Sequence, residues 1–342
     1  MIIDSPTHTR RSVSARPTAV PTEAGLWDAL AAQAHSVEVN IGRVISGKPD
    51  AIRLAVTAFL AGGHLLIEDV PGVGKTMLAK ALATSMGATV RRIQFTPDLL
   101  PSDVTGAPIF NQETRQFDFE PGPIFANIVI GDEINRASPR TQSALLECME
   151  ERQVTVEGTT YALDDPFLVV ATQNPIDMEG THTLMEAQRD RFMMRIAMGY
   201  PDEGAEQAMV KARANGEPIK QIGSVVPLAT VRDMIGACRQ VHVADAITAY
   251  AVAITRATRH HQALRLGASP RAAVHLVAAA RAYAAMHGRG HVLPDDIQAL
   301  AEPVLAHRLM AISPASGVEA AAQLRAIVRA VLAGVRVPVP LR

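Results

Sequence analysis

The chain has 342 residues, 48% of them hydrophobic, with a formal charge of −1 and two cysteines. That length suits two compact units with tails, and the apolar content suffices for a sizeable core, whereas the near-neutral balance excludes a global basic field for nucleic acid. Cys148 and Cys238 stand in no metal-ligand spacing and fit a reducing compartment; no apolar run reaches the roughly 18 residues of a membrane span, and no hydrophobic signal core opens the chain, so a cytoplasmic protein is expected.

Residues 1–21 mix Ser, Thr, Pro and Arg with few large apolar groups, which predicts a flexible tail. Leu26, Leu30, Ala34, Val37 and Ile41 recur at helical spacing, as do the apolar residues of Ile52 to Leu60, so two helices lead into the first strand. That strand, His64 to Glu68, turns through Asp69-Val70-Pro71-Gly72-Val73-Gly74-Lys75-Thr76 into a segment with Leu78, Ala81, Leu82 and Met86 on one helical face. Strand, glycine-rich turn and helix make a phosphate loop. Gly72 and Gly74 let N–H groups from Gly72 to Thr76 converge at a helix N-terminus, Lys75 can reach β- and γ-phosphates, and the Thr76 hydroxyl is placed for Mg²⁺. Asp69 occupies the position where G-x-x-x-x-G-K-[ST] has its first glycine.

Val90 to Phe95 predicts a second strand, and the pieces Ala107 to Phe110 and Phe117 to Phe119, joined by polar Asn111 to Gln116, predict a projecting hairpin. Ala126 to Gly131 is a buried-strand run that ends in Asp132 and Glu133. Downstream of a phosphate loop, Asp132 is positioned to hold Mg²⁺ and Glu133 to orient or deprotonate the attacking water. Pro139 to Glu151 is an amphipathic crossover helix; Gln153 to Leu163 alternates about Gly158 as a second hairpin. Phe167 to Thr172 is another buried strand that delivers Asn174 to the ligand end of a parallel sheet. Arg189, Arg191 and Arg195 surround Phe192 ahead of a strand-like Ile196 to Tyr200, and one of the three is a candidate arginine acting across a subunit boundary.

From Pro201 strand patterns give way to Ala-rich helical segments, the mark of a second, helical unit. Ser269 at an N-cap and Pro270 at the first helical position set Arg271 in the opening turn, from which it can reach a neighbouring nucleotide site. His260 and His261 have no H-E-x-x-H spacing, and no transition metal is expected.

In order, Gly72 to Thr76, Gly131 to Arg136, Ala171 to Pro175, Asp190-Arg191-Phe192 and Ser269-Pro270-Arg271 resemble the AAA+ ATPases of the MoxR family over roughly Leu26 to Leu332. The resemblance implies an α/β P-loop NTPase with a parallel sheet core and two β-hairpin insertions, followed by an all-α lid: a nucleotide-binding domain over residues 22–200, the lid over 201–334 and a C-terminal tail over 335–342. Lys75 and Thr76 look like Walker A, Asp132 and Glu133 like Walker B, Asn174 like sensor 1, Arg191 like the arginine finger and Arg271 like sensor 2, with Gly72, Val73, Gly74 and Met77 joining Lys75 and Thr76 as the implied nucleotide-binding residues. ATP and Mg²⁺ are the implied ligands, with Thr76 and Asp132 on the metal. The implied assembly is a homo-oligomeric ring, a hexamer, which remodels client proteins as a chaperone does, with a partner carrying a von Willebrand factor A domain. Related rings include chelatase-like subunits and nucleic-acid motors. Against the motor, Asn111 to Phe119 holds only Arg115 as a basic residue, and Gln153 to Leu163 holds none.

Overall fold

The structure is a computed structural model, and it describes residues 23–174, 182, 184–214, 216–313, 315 and 317–338. The expected tail over 1–21 and Pro175 at the end of the Asn174 motif lie outside the described residues. Two helices, α1 (Glu23–Gly42) and α2 (Pro49–Leu60), precede β1 (Leu65–Glu68), α3 (Lys75–Ser85), β2 (Val90–Gln94) and the short α4 (Pro101–Thr105). A hairpin of β3 (Gly106–Asn111) and β4 (Gln116–Pro121) follows, then β5 (Ile128–Asp132) and α5 (Pro139–Glu151). The second hairpin, β6 (Gln153–Val156) and β7 (Thr159–Ala162), leads to β8 (Leu168–Gln173), α6 (Glu186–Arg189) and β9 (Met194–Ile196). This last strand begins and ends earlier than the expected Ile196 to Tyr200, because Met194 pairs with Leu65 and the ladder ends at Ile196 opposite Ile67.

Among the described residues, one sheet of five strands has the order β2-β5-β8-β1-β9, and every neighbouring pair is parallel. The side-chain period of two splits its strands between two cores. Leu65, Ile67, Ile128, Ile130, Leu168 and Val170 face α1, α2 and α3, whereas Leu66, Val129, Val169 and Ala171 face α5 through Leu145, Leu146 and Met149. Helices on both faces explain why these strands read as continuous apolar runs instead of alternating ones.

The remaining helices are α7 (Glu203–Ala214), α8 (Leu228–Gln240), α9 (Asp245–Arg259), α10 (Pro270–Met286), α11 (Pro294–Leu305) and α12 (Gly317–Gly334). They form a helical lid apart from a two-stranded ribbon of β10 (Leu264–Leu266) and β11 (Met310–Ala311), strands too short to show in a periodicity reading. Leu276, Ala279 and Leu300 of this lid belong to the same apolar cluster as Leu65 and Ile67 of the sheet.

His64 closes the lower end of β1. Its Nδ1 accepts the Val169 N–H at 3.0 Å and its Nε2 lies 3.0 Å from the Met149 carbonyl, so the neutral tautomer with the proton on Nε2 satisfies both. Burial pushes its pKa down to about 4, against the Met149 hydrogen bond and with the help of Arg152. Burial likewise holds His275 at about 3 and His307 well below its ordinary value. A histidine depressed in the fold binds its proton first in the unfolded chain, so stability falls as pH drops from about 6.5 towards 4. The urea midpoint is expected to be lower at pH 5 than at pH 7, and His64→Gln should make that fall shallower; equal slopes in both proteins would contradict the assignment.

Candidate nucleotide site

Parallel strands bring their C-terminal ends to one edge, and the predicted phosphate chemistry gathers there. After β1 the chain bends through Gly72 (φ +84°) and Gly74 (φ +93°), left-handed conformations that side chains rarely adopt. Gly74 is the N-cap of α3, so the N–H groups of its first turn open onto the loop. Lys75 Nζ donates to the Asp69 carbonyl at 2.5 Å and the Gln173 carbonyl at 3.3 Å, which holds the ammonium across the mouth of the loop. Burial lowers the Lys75 pKa, opposed by the charges of Asp69, Asp132, Glu133 and Glu68.

Asp132 ends β5, and the Thr76 hydroxyl lies 3.1 Å from each of its carboxylate oxygens. The two predicted metal-holding residues are therefore neighbours, and their hard oxygen donors suit Mg²⁺. Thr172 of β8 and Arg92 of β2 complete the setting. The Thr172 hydroxyl donates to Asp132 Oδ1 at 3.1 Å and accepts the Glu133 N–H at 3.0 Å, while Arg92 Nε donates to Asp132 Oδ2 at 2.6 Å. Glu133 turns the chain sharply (φ +57°), and its carboxylate accepts from Arg136 at 2.9 Å on the open side. Asn174 follows β8, the strand between β5 and β1, and so stands at the same edge.

Beside the loop lies a mainly apolar cleft of about 630 Å³, lined on one side by Gly72, Val73, Gly74 and Met77 and on the others by Val44, Ile45, Met198, Pro201, Ala205 and Met209. Its size and lining suit a flat heteroaromatic base next to bound phosphates. Sequence reasoning missed this wall because it is assembled from three remote segments, none with a pattern of its own.

Arg191 and Arg271 lie elsewhere. One carboxylate of α5, Glu150, receives Arg191 Nε at 3.2 Å through Oε2 and Arg271 through Oε1, and Arg271 also approaches Asp190 at 3.6 Å. The cleft they share includes Gly63, His64 and Met193, at the N-terminal ends of β1 and β9. The length of β1, roughly 13 Å, separates them from the phosphate loop of their own chain. Ser269 is at the N-cap of α10 as expected, but its hydroxyl donates to Asp190 at 2.8 Å in place of capping the helix. Arg308, 5% exposed, donates to Asp190 at 2.6 Å, to the Phe192 carbonyl at 2.5 Å and to His275 at 2.6 Å. Burial lowers the Arg308 pKa to about 10, with Asp190 opposing.

Residues 64–194 match the family described as ATPase family associated with various cellular activities (AAA), and residues 256–327 match the AAA lid domain. The chain is 42% identical to Chaperone MoxR1 of Mycobacterium tuberculosis over 296 residues, 83% of this chain and 78% of that protein. The chain belongs to the MoxR family of AAA+ ATPases. YeaC of Bacillus subtilis is 50% identical over 88% of this chain and 93% of its own length. A crystal structure of a protein from Cytophaga hutchinsonii superposes with a TM-score of 0.83 at 37% identity, covering 92% of this chain and 97% of its own. The MoxR fold and its ATP hydrolysis thus agree with the site at the upper edge of the sheet.

Thr172 offers a direct test of that edge. Thr172→Val keeps the volume but takes a donor from Asp132 and an acceptor from the Glu133 N–H, a loss of about 1–3 kcal/mol for each buried polar group left unpaired. Turnover is expected to fall about tenfold, with the Kd for ATP changed less than about threefold. A larger change in Kd than in turnover would show that Thr172 serves binding instead.

Proposed function

We propose that the protein binds MgATP at the upper edge of its sheet and hydrolyses it at the interfaces of a homo-oligomeric ring, a hexamer, to remodel a client protein complex in the cytoplasm. The carrying observation is that Arg191 and Arg271 meet on Glu150 at the end of the sheet opposite their own phosphate loop. Two arginines so placed serve a nucleotide held by the neighbouring subunit, and catalysis then requires assembly. The chaperone designation of the tuberculosis relative supports the remodelling role; the partner carrying a von Willebrand factor A domain rests on the motif resemblance alone.

In this reading the N–H groups of Gly72 to Thr76 hold the phosphates, Lys75 neutralises them, and Val73 and Met77 border the base. Thr76 and Asp132 hold Mg²⁺, which supplies charge neutralisation at the β- and γ-phosphates. Glu133 accepts the proton of the attacking water and Asn174 orients that water. Arg191 stabilises charge on the transferring group from the adjacent subunit, as Arg271 does beside it. The surroundings of the competing arginines support Arg191: Arg195 is paired with Glu68 at 2.6 Å and is 14% exposed, and burial lowers the Arg189 pKa, whereas the Arg191 side chain is 32% exposed.

The hairpins fit client contact better than nucleic acid. Ile109, Phe110 and Phe117 are exposed on the first, with Phe110 and Phe117 edge to face at 5.3 Å, an apolar surface suited to protein.

Lys75→Ala is expected to lose ATP binding, whereas Glu133→Gln should keep binding and lose turnover. Arginines acting in trans contribute roughly 10³ to 10⁵ in rate. Neither Lys75→Ala nor Arg191→Ala protein should hydrolyse ATP alone, yet mixing them should restore part of the activity at interfaces that pair an intact loop with an intact arginine. Confirmed mixed assembly without recovered activity would reject Arg191 as the trans residue.

A further inference from the structure

The first position of the phosphate loop holds a carboxylate where the general pattern has glycine, and that carboxylate is 9% exposed. Oδ1 of Asp69 accepts the Val70 N–H at 2.8 Å, and Oδ2 accepts two successive N–H groups, Met198 at 2.6 Å and Gly199 at 2.5 Å. Gly199 has a φ of +63°, which turns the two N–H groups towards one point and makes a small anion-holding concavity for a side chain of the same chain. The contact begins just past the place where β1 and β9 cease to pair, at Ile67 and Ile196. Asp69 thus prolongs the attachment of the two segments beyond the ladder.

What it attaches decides its meaning. Met198, Pro201, Ala205 and Met209, the wall of the base cleft, lie on the segment that Asp69 grips and on α7 directly after it. The carbonyl of the same residue receives Lys75 Nζ. Asp69 therefore touches the phosphate cation through its backbone and the base wall through its side chain. Lys48 adds a second tie to the same turn, donating to the Tyr200 carbonyl at 2.7 Å. Three charge-assisted hydrogen bonds to a buried carboxylate are stronger than neutral ones, and glycine could make none of them.

We propose that Asp69 is a positioning residue that fastens the base wall at Met198 to Met209 to the phosphate loop, so that base and phosphates of ATP are gripped as one rigid unit. The inference rests on the nucleotide reading of this cleft. It sets apart two ligands that share the phosphate loop: ATP fills both parts of the site, whereas inorganic tripolyphosphate uses only the loop.

Titration calorimetry on the full-length protein with Mg²⁺ present provides the test. Asp69→Gly, which restores the residue common to other phosphate loops, should raise the Kd for ATP about tenfold and leave that for tripolyphosphate within about twofold. The KM for ATP should rise in parallel while kcat at saturating ATP is retained. Asp69→Asn keeps the shape but offers one oxygen to three donors, so it should shift ATP alone by about threefold, and it carries the test if the glycine variant does not fold. Equal weakening of both ligands, weakening of neither, or a loss of kcat at unchanged KM overturns the proposal. Wild-type protein that binds no ATP would overturn the nucleotide reading itself.

Discussion

All five strands of the central sheet run in one direction, and that constraint gives the molecule two chemically different ends. Parallel neighbours require crossovers, so every strand begins at one edge and delivers its following loop at the other. The phosphate loop after β1, Asp132 at the end of β5 and Asn174 after β8 meet because their strands are neighbours a few ångströms apart. The residues that precede β1 and β9 gather at the opposite edge by the same rule. The candidate nucleotide site thus draws the phosphate loop, Asp132 and Asn174 from one edge, while Arg191 and Arg271 stand at the other, a polarity suited to repetition around a ring.

The lower edge is held by a buried ionic cluster. Asp190 accepts from Ser269 and Arg308 of the lid, and Arg308 in turn holds the Phe192 carbonyl and His275. Removal of one member of such a cluster leaves its partners charged and buried, which costs about 3–5 kcal/mol. Burial and the neighbouring guanidinium groups explain why His275 stays neutral, as it must to accept from Arg308. Since Arg191 follows Asp190 directly and Arg271 lies two residues beyond Ser269, the cluster fixes the spacing of the two arginines and joins the lid to the sheet at the same point.

The sequence was most legible where a local pattern carries the physics. Apolar runs bounded by turns marked β1, β5 and β8, the glycines marked the loop, and the carboxylates at the tip of β5 marked themselves by following it. The two hairpins were readable from polar turns between alternating segments. What escaped was nonlocal. The apolar cleft joins residues near 45, 75 and 200, and Arg308 meets Asp190 across 118 positions, contacts that no periodicity announces. Thr172 read as one residue of a buried strand, although its hydroxyl organises both acids. The short α4 eluded the reading because five residues hold little more than one helical turn.

The helix α5 connects the two ends that the sheet keeps apart. Its Ser138 N-cap follows the turn of Glu133 to Arg136, with Gln142 donating to the Ile134 and Ala137 carbonyls, and its last turn carries Glu150 to the arginines. Thirteen residues at 1.5 Å rise make a rod of about 20 Å, stiffened by Leu145, Leu146 and Met149 in the second core. Directly after it begins β6, and Tyr161 of this hairpin stacks on Phe119 of the other with ring centroids 4.1 Å apart. Glu133, the Glu150 carboxylate that holds Arg191 and Arg271, and both exposed hairpins are therefore connected through one packed body. A helix buried along one face is tied along its length to that core, so its two ends are packed into the same body. Under the proposed function, hydrolysis at the upper edge and client contact at the hairpins would act on the same mechanical element.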